Sequence, residues 1–397
     1  MESQETPDTA QEPSAGTNHR RRPILVVVVV LVLAGGISWW LGLASYLSQR
    51  VQYAGKTSTF SGASESLKQT VIVPTLDTPC PPGKNVIWCS SFQLAWNEIR
   101  DKVIGSPLQV VGAEEVAARL NTAKQSSSDL EPGTFYAAGG HVKDGIVDTI
   151  RKDMATKFPS HVPSDLARYV REPDGILAYA YLTASVPFPH AFREAQLAFG
   201  NSRGEKAEVE AFGVWSYVER YDEIRGQVEV LYCEPGRDDY RVKECALDLC
   251  KDSRPCQVIV ALVEPQGSLD RTLEYVRQRI ADFPKSFDYE HYRRLSRVDV
   301  LKVPEMLWKI EHRFGDLIGK LVTNADPAMP IVEAMQIIEF RLDRCGAVLN
   351  SEARVLVKAL PRRFIFDRPF LICMQKRGAE HPFFVMWVDN AELLTHK

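Results

Sequence analysis

The sequence lacks three short motifs that mark common catalytic and nucleotide-binding sites. It contains no His-Glu-x-x-His pair, no Gly-x-x-x-x-Gly-Lys loop and no Gly-x-Gly-x-x-Gly turn, which are the usual signs of zinc hydrolases and of nucleotide-binding proteins. It also contains no Cys-x-x-Cys pair, so a bound zinc ion is not expected. We therefore predict a protein that is not an enzyme, with no catalytic residues, no metal site and no cofactor.

The sequence also lacks an excess of either charge. Lys and Arg number 48 and Asp and Glu 51, which gives a formal net charge of -3. This balance excludes no partner by itself, and we expect no nucleic-acid partner. The 397 residues, 45% of them hydrophobic, are enough for one large domain with a sizeable core.

Charged residues are absent from a long segment near the N-terminus. Residues 1–22 are polar and end in Arg20-Arg21-Arg22, and no further charge occurs before Arg50. Between them Ile24 to Leu47 is apolar, which is enough to span about 30 Å of hydrocarbon at about 1.5 Å per residue. Because the basic flank stays inside, we predict a disordered cytoplasmic tail over 1–22, a transmembrane helix over 23–47 and an extracytoplasmic remainder.

A cleaved signal peptide is the alternative for the apolar run. Gly42 and Ala44 are small residues of the kind found at cleavage sites. The run is longer than the apolar region of a signal peptide, which has about 7 to 15 residues. Its length favours a single-pass membrane protein with the main domain outside.

Residues 48–84 are predicted to form a stalk and an entry strand. Small polar residues such as Thr57, Ser61 and Ser64 are typical of a flexible tether. Val71 to Val73 is a short strand candidate that Pro74 stops. The main domain is predicted to cover 85–397.

All eight cysteines follow the apolar run, in a part of the chain where export allows disulfides to persist. Cys80 and Cys89 bracket the turn-forming Pro81-Pro82-Gly83, which favours a bond between them. Cys373 lies in an apolar strand and is interpreted as a buried small hydrophobic residue. The sequence leaves open which pairs form among the remaining candidates, Cys233, Cys245, Cys250 and Cys256.

Helical and strand patterns are mixed along the chain. Apolar spacing predicts amphipathic helices that begin near Phe92, Ile146 and Phe314. Val228 to Tyr232 and Val258 to Val263 are rich in β-branched residues and predict strands. Mixing without a regular strand–helix–strand alternation indicates an α+β fold.

The C-terminal tail has the most informative pattern. A strand, Met335 to Leu342, is followed by a connection, Asp343 to Arg363, and then by the apolar segments Phe364 to Cys373 and Phe383 to Val388. This order resembles the C-terminus of serpins, in which a strand of the central sheet runs into an exposed reactive loop and the chain returns through Phe-x-Ala-x-x-Pro-Phe. Phe366 stands where that pattern has Ala.

Further matches follow in the same order along the chain. Asn85 to Ala95 resembles the segment that opens the buried helix B of serpins, and Leu301 to Met306 resembles their Leu-x-x-Pro-x-Phe. The resemblance implies a serpin-like α+β fold, with helices packed around a large central mixed β-sheet and an exposed C-terminal reactive-type loop. Serpins normally begin with a long helix, which this sequence does not show.

The resemblance makes the loop the functional part of the chain. Inhibitory serpins are cut in this loop by a protease, and its N-terminal half then inserts as a new strand in the central sheet. Their hinge reads Glu-x-Gly-Thr-Glu-Ala-Ala-Ala. Here Gly346 fits the hinge glycine, Arg344 stands where Glu is expected, and Ala347 is followed by the bulkier Val348 and Leu349. The hinge formed by Arg344, Gly346 and Ala347 is therefore atypical.

The same resemblance locates the cut. Counting about fourteen residues beyond the hinge glycine, as loop insertion in the family implies, places the scissile bond near Leu360-Pro361. Arg362 and Arg363 complete the candidate scissile region. Proline after the cut makes a poor substrate for most serine proteases.

Insertion would bury alternate side chains of the loop. Glu352, Arg354 and Lys358 all fall on even positions, so a single register leaves all three facing solvent. Val355 and Val357 then face inward. The alternative is that Ala353 to Ala359 is already a strand, which resembles the latent and inert state of serpins.

Two functions follow from these observations. The first is a membrane-anchored extracytoplasmic serpin-like protein whose family role is serine-protease inhibition by loop cleavage and insertion. The second is a non-inhibitory serpin-like binding or structural module at the cell surface. The expected partners are a serine protease, the membrane through residues 24–47, and acidic polymers or headgroups attracted by the basic loop residues Arg354, Lys358, Arg362 and Arg363.

The predicted topology is testable on intact cells. Protease added outside is expected to remove the 85–397 domain and to leave residues 1–22 untouched, because Arg20-Arg21-Arg22 holds the N-terminus inside. Immunoblots against a tag at each end measure both outcomes. Full protection of the domain, with digestion restored by detergent, would contradict the extracytoplasmic location.

Overall fold

The computed structural model describes residues 58–163, 166, 170, 175–184, 186–215, 221–236, 240–284, 292–345 and 361–396. The predicted tail 1–22 and the predicted membrane segment 23–47 lie outside these residues. Within them the α-helices are α1 (Ser90–Asn97), which a π-helical segment (Glu98–Ile104) continues, α2 (Glu114–Thr122), α3 (Ile146–Lys157), α4 (Asp222–Gly226) and α5 (Leu269–Asp282). Short 3-10 helices cover Ser64–Ser66, Ser127–Asp129, Val142–Asp144, Pro159–His161 and Ala391–Leu393.

The strands of the described residues alternate with these helices without a fixed period. They are β1 (Phe60–Ala63), β2 (Thr70–Ile72), β3 (Asn85–Cys89), β4 (Val110–Val111), β5 (Phe135–His141), β6 (Ile176–Leu182), β7 (Arg193–Gly200), β8 (Lys206–Val214), β9 (Glu229–Pro235), β10 (Val242–Asp248), β11 (Cys256–Leu262), β12 (Val300–Pro304), β13 (Met306–Arg313), β14 (Leu321–Val322), β15 (Met329–Pro330), β16 (Met335–Leu342), β17 (Arg363–Ile365), β18 (Phe370–Lys376) and β19 (Phe384–Val388).

The largest sheet has seven strands in the order β2-β3-β19-β18-β11-β10-β9. It is mixed, because β2 runs parallel to β3 whereas the other neighbours are antiparallel. Every residue of β3 and β19 is buried, which requires cover on both faces. Met386 belongs to the main core on one face, and the next residue, Trp387, belongs to a second core on the other.

Helix α5 supplies part of the cover on that second face. Its buried apolar residues, Leu269, Leu273 and Val276, recur at helical spacing and join the core that contains Trp387. The Oγ of Ser268 accepts a hydrogen bond from the backbone N–H of Arg271 at 3.3 Å, which caps the start of the helix. The helix therefore has a defined start and one apolar face.

The described smaller sheets are β17-β12-β8-β7, β1-β13-β16, β15-β14-β4 and the pair β5-β6. The predicted α+β architecture, with helices packed on a large mixed sheet, is confirmed. The helices predicted near Phe92 and Ile146 correspond to α1 and α3. The helix predicted from Phe314 is wrong, because residues 315–319 form a turn in which Gly319 has a left-handed φ of 79°, a conformation that a helix cannot include.

The part of the predicted stalk that the structure describes differs from a flexible tether. Phe60 to Ala63 forms β1, which pairs in parallel with β13 from Trp308 to Glu311. Phe60, the one large apolar residue between Ser58 and Ser66, also packs against the main core. Within the described residues, no helix has the length and apolar character needed to cross a membrane.

All eight cysteines are free thiols in the structure, which contains none of the expected disulfides. The Cys80–Cys89 pairing is disfavoured by the fold. Cys80 packs against the second core, where its backbone N–H donates to the carbonyl of Gly267 at 2.8 Å, whereas Cys89 belongs to the main core on the other face of the sheet. Cys373 is a buried residue of β18, as predicted.

The packing of the tail can be tested by a single truncation. Phe370 is fully buried, and its ring lies 5.3 Å from that of Phe366 and 6.2 Å from that of Phe199. We expect Phe370→Ala to lower the free energy of unfolding by about 3 to 5 kcal/mol, since a buried ring is replaced by a cavity. Chemical denaturation measures this loss. The control is Val332→Ala, at a residue that is 70% exposed, and similar losses in both variants would contradict this packing.

Candidate functional site

The strand that leads into the loop has one buried face. Along β16 the buried residues are Gln336, Ile338, Phe340 and Leu342, and the residues between them are more exposed. This alternation fixes which way each side chain points up to Leu342. The strand then ends in a turn, where Asp343 Oδ1 accepts a hydrogen bond from the backbone N–H of Cys345 at 3.1 Å.

The hinge residue Arg344 is held on both its backbone and its side chain. Its carbonyl accepts a hydrogen bond from the backbone N–H of Phe192 at 2.7 Å. Its Nη2 lies 2.8 Å from Glu194 Oε1. Phe192 is itself fixed, because its buried ring packs edge-on against that of Phe188 at 5.1 Å. The other two predicted hinge residues, Gly346 and Ala347, lie outside the described residues.

The far end of the loop is held more firmly, by Arg362 and the buried carboxylate of Asp299. The backbone N–H of Arg362 donates to Asp299 Oδ1 at 2.7 Å, and its Nε and Nη2 donate to Oδ2 at 3.1 and 2.6 Å. The remaining donors reach the carbonyls of Tyr292 and Arg294 at 2.7 and 2.6 Å. The side chain of Asp299 is only 1% exposed, whereas that of Arg362 is 17% exposed, so the carboxylate is shielded from water and fixes the chain at residue 362.

Beyond this anchor the chain enters the four-stranded sheet. β17 pairs in parallel with β12, and the backbone N–H of Arg363 donates to the carbonyl of Tyr240 at 2.9 Å. Phe364 and Phe366 are both fully buried. The bulky Phe366 is therefore accommodated where the serpin pattern has Ala, because its ring packs against Phe370.

Two strand edges near the hinge have no strand partner among the residues that the structure describes. β6 pairs with β5 only, and β16 pairs with β13 only. Helix α1 contacts both β6 and β16, so the two strands share the same supporting helix. Unpaired edges present backbone donors and acceptors that can accept another strand.

These contacts change the interpretation of the candidate scissile region. Leu360 lies outside the described residues, as does the segment 353–359 that was considered as a preformed strand. Pro361 and Arg362 are only partly exposed, and the guanidinium of Arg362 is engaged by Asp299 and two carbonyls. Arg362 is therefore not available to attract an acidic polymer, in contrast to the sequence-based prediction. Arg363 is exposed.

Asp299 and Glu194 were missed by the sequence analysis. Each lies far along the chain from its arginine partner, and neither belongs to a recognisable motif. The only signal was indirect, since Asp299 directly precedes a segment that resembles a serpin strand.

The described residues offer little for catalysis. The letters Gly-x-Ser-x-Gly occur at Gly200 to Gly204, but this segment is the turn between β7 and β8 and Ser202 is exposed. A nucleophile elbow requires a turn from a strand into a helix. No group of three or more His, Cys, Asp or Glu side chains in the described part of the chain is placed to hold a metal ion.

A polar cluster between α5 and the large sheet has a structural role. Tyr232 and Tyr275 donate their hydroxyl protons to Glu244 Oε2 at 3.2 and 2.9 Å. Arg279 Nη2 lies 2.7 Å from Glu234 Oε2. Burial is the main cause that raises the pKa of each tyrosine above its usual value, so both stay protonated at neutral pH. The cluster fastens α5 to β9 and β10.

No family model matches the chain, and no curated protein matches it. Among solved structures, it is similar to native protease nexin-1 with heparin, at 10% identity and a TM-score of 0.39, over 77% of this chain and 92% of that one. It is also similar to the mouse protein-Z dependent protease inhibitor, at 10% identity and a TM-score of 0.42, over 77% and 91% of the two chains. At TM-scores below 0.5, these likenesses say nothing about the function of this chain.

The contribution of Arg362 to stability can be tested with substitutions at two adjacent residues. We expect Arg362→Ala to lower the free energy of unfolding by about 3 kcal/mol, because it leaves the buried charge of Asp299 without its partner. Arg363→Ala is expected to cost less than about 1 kcal/mol, since that side chain is exposed. Urea denaturation of both variants measures the difference. Equal losses would show that the Arg362–Asp299 pair does not hold the loop.

Proposed function

We propose that this chain is a membrane-anchored extracytoplasmic serpin-like protein that inhibits a serine protease by loop cleavage and insertion. In this proposal residues 23–47 form the anchor, residues 1–22 stay in the cytoplasm, and the hinge is atypical. The observation that carries the proposal is the pair of strand edges on β6 and β16, both supported by α1 and both without a strand partner among the described residues.

The dimensions of the loop support insertion between these edges. β6 and β16 have seven and eight residues, so a strand that pairs with both must extend roughly 25 Å at about 3.3 Å per residue. Residues 346–360, which connect the two anchors, have enough length for this with chain to spare. In one register the charged side chains of Glu352, Arg354 and Lys358 face solvent while Val355 and Val357 are buried, as a packed sheet requires.

The contacts of Arg344 affect how fast insertion occurs. Releasing the hydrogen bond to Phe192 costs about 1 kcal/mol, and the ion pair with Glu194, which is exposed, adds at most about 1 kcal/mol. A total of about 2 kcal/mol means that the contacts of Arg344, taken alone, are broken in roughly one molecule in thirty. Because insertion competes with hydrolysis of the acyl bond between the protease and the loop, the contacts of Arg344 are expected to lower the fraction of protease that is trapped.

A second function is favoured by the same contacts. A loop held at Arg344 and at Arg362 is presented at fixed positions without any need to insert. This favours a non-inhibitory serpin-like binding or structural module at the cell surface. The two functions differ in what happens after the loop is cut.

The distinguishing experiment exposes the full-length protein in detergent to trypsin-like and subtilisin-like proteases. An inhibitor is expected to give a complex that survives SDS and a cleaved form whose melting temperature is raised, because the inserted strand gains hydrogen bonds and buried surface. Gel electrophoresis and thermal denaturation measure both. Cleavage with neither change would contradict inhibition and favour the non-inhibitory module.

Adjacent substitutions in the loop provide the control. Val355→Glu places a charge on the face that insertion buries, so it is expected to abolish the rise in melting temperature after cleavage. Arg354→Glu changes the neighbouring residue on the solvent face and is expected to preserve the rise. Equal behaviour of the two variants would show that no strand with this register forms.

A further inference from the structure

Cys233 and Cys245 stand directly opposite each other on the neighbouring antiparallel strands β9 and β10. Opposed residues in such a pair have side chains on the same face and Cα atoms about 4.5 or 5.5 Å apart. Disulfides require Cα atoms about 4.4 to 6.8 Å apart. In the described strand registers no other two cysteines face each other.

The surroundings of Cys233 and Cys245 allow their Cβ atoms to move slightly closer together, as a disulfide requires. Cβ atoms of opposed residues are about 4.5 to 5.5 Å apart, whereas a disulfide brings them to about 3.8 Å. β9 is the last strand of the seven-stranded sheet, and the pairing of β9 with β10 is irregular on both sides of Cys245. An edge strand with irregular pairing moves with less disturbance than a central strand.

We propose that Cys233 and Cys245 form a reversible disulfide that locks the β9–β10 hairpin. The oxidant is a low-molecular-weight disulfide such as oxidised glutathione. The thiolate of Cys233 attacks one sulfur of that disulfide, which forms a mixed disulfide and releases one thiol. The thiol of Cys245 then loses its proton and attacks Cys233 Sγ, so the protein disulfide forms and the second small thiol leaves.

Access and acidity determine how fast the pair is oxidised. Cys245 is fully buried, whereas Cys233 is half-buried and is the sulfur that a small oxidant reaches first. Burial raises the pKa of Cys233 to about 11 and also raises that of Cys245. Because the thiolate is the nucleophile, oxidation is expected to be slow at neutral pH and to accelerate roughly tenfold per pH unit between pH 7 and 9.

The hairpin that the bond locks also supports the loop. Arg241, between β9 and β10, bridges to Arg363, and the carbonyl of Tyr240 accepts a hydrogen bond from the backbone of Arg363. The charges of Arg362 and Asp299 are close enough to Cys233 to affect its pKa. The disulfide is thus expected to stiffen the support of the loop's C-terminal end, whichever function the loop has.

The test uses the full-length protein in detergent, equilibrated in glutathione buffers from fully reducing to fully oxidising. We expect the mass to fall by that of two hydrogen atoms, a peptide linked between residues 233 and 245 to be found by mass spectrometry, and the melting temperature to rise by roughly 3 °C. Reduction should reverse all three changes. Peptide mapping of the wild-type protein tests the Cys233–Cys245 bond without any variant. Unlinked thiols at 233 and 245 in the oxidising buffer would overturn the proposal.

Two cysteine variants test whether this particular bond causes the stabilisation. Cys233→Ser is expected to abolish both the linked peptide and the rise in melting temperature. Cys250→Ser, which changes a buried cysteine outside the pair, is expected to preserve both. A rise that persists in Cys233→Ser, or a link from Cys233 to a different cysteine, would contradict the Cys233–Cys245 bond.

Discussion

The two-sided burial of the tail strands is the constraint on which the rest of the structure depends. β18 and β19 lie at the middle of the seven-stranded sheet, and the core on each face takes alternate residues from them. Since neither strand can shift by one residue without reversing both faces, the chain just before them is fixed in space. The position of β17, and therefore the end of the loop, follows from this register.

The loop is consequently a segment with two anchors of different strength. At Arg362 a buried carboxylate, two carbonyls and a parallel strand hold the chain. At the hinge, two backbone hydrogen bonds, from Phe192 to Arg344 and from Phe188 to Cys345, and one exposed ion pair hold it. A force or a cut that loosens the loop is therefore expected to release the hinge end first. That asymmetry suits insertion beside β16, which is continuous with the hinge.

The parts of the fold that could be predicted from the sequence are those with local, redundant signals. The tail strands combine apolar runs with Pro369-Phe370, and the burial of Phe370 agrees with that pattern. The helix expected from Phe314 was wrong because the apolar spacing there is real but is interrupted by Gly315 and Gly319, whose turn conformation overrides it. Apolar periodicity alone does not report the backbone conformation that glycine allows.

Long-range polar pairs could not be predicted in this way. Asp299 and Arg362 are 63 positions apart, and nothing in either local sequence specifies the other. The same holds for Arg344 and Glu194. The cysteines are an intermediate case, because the sequence placed Cys233 and Cys245 in one group of candidates, whereas only the strand register shows that they are opposite each other.

In either proposed function, the contacts of Arg362 limit which side chains of the loop a partner can bind. A guanidinium group has five N–H donors in a fixed plane, and that of Arg362 makes four hydrogen bonds, to Asp299, Tyr292 and Arg294. A protease pocket or an acidic polymer that bound this side chain would have to leave Asp299 buried without a counter-charge, which costs several kcal/mol. Recognition of a partner is therefore expected to depend on residues on the N-terminal side of Pro361, where Arg354 and Lys358 supply the charge, while Arg362 holds the end of the loop in place.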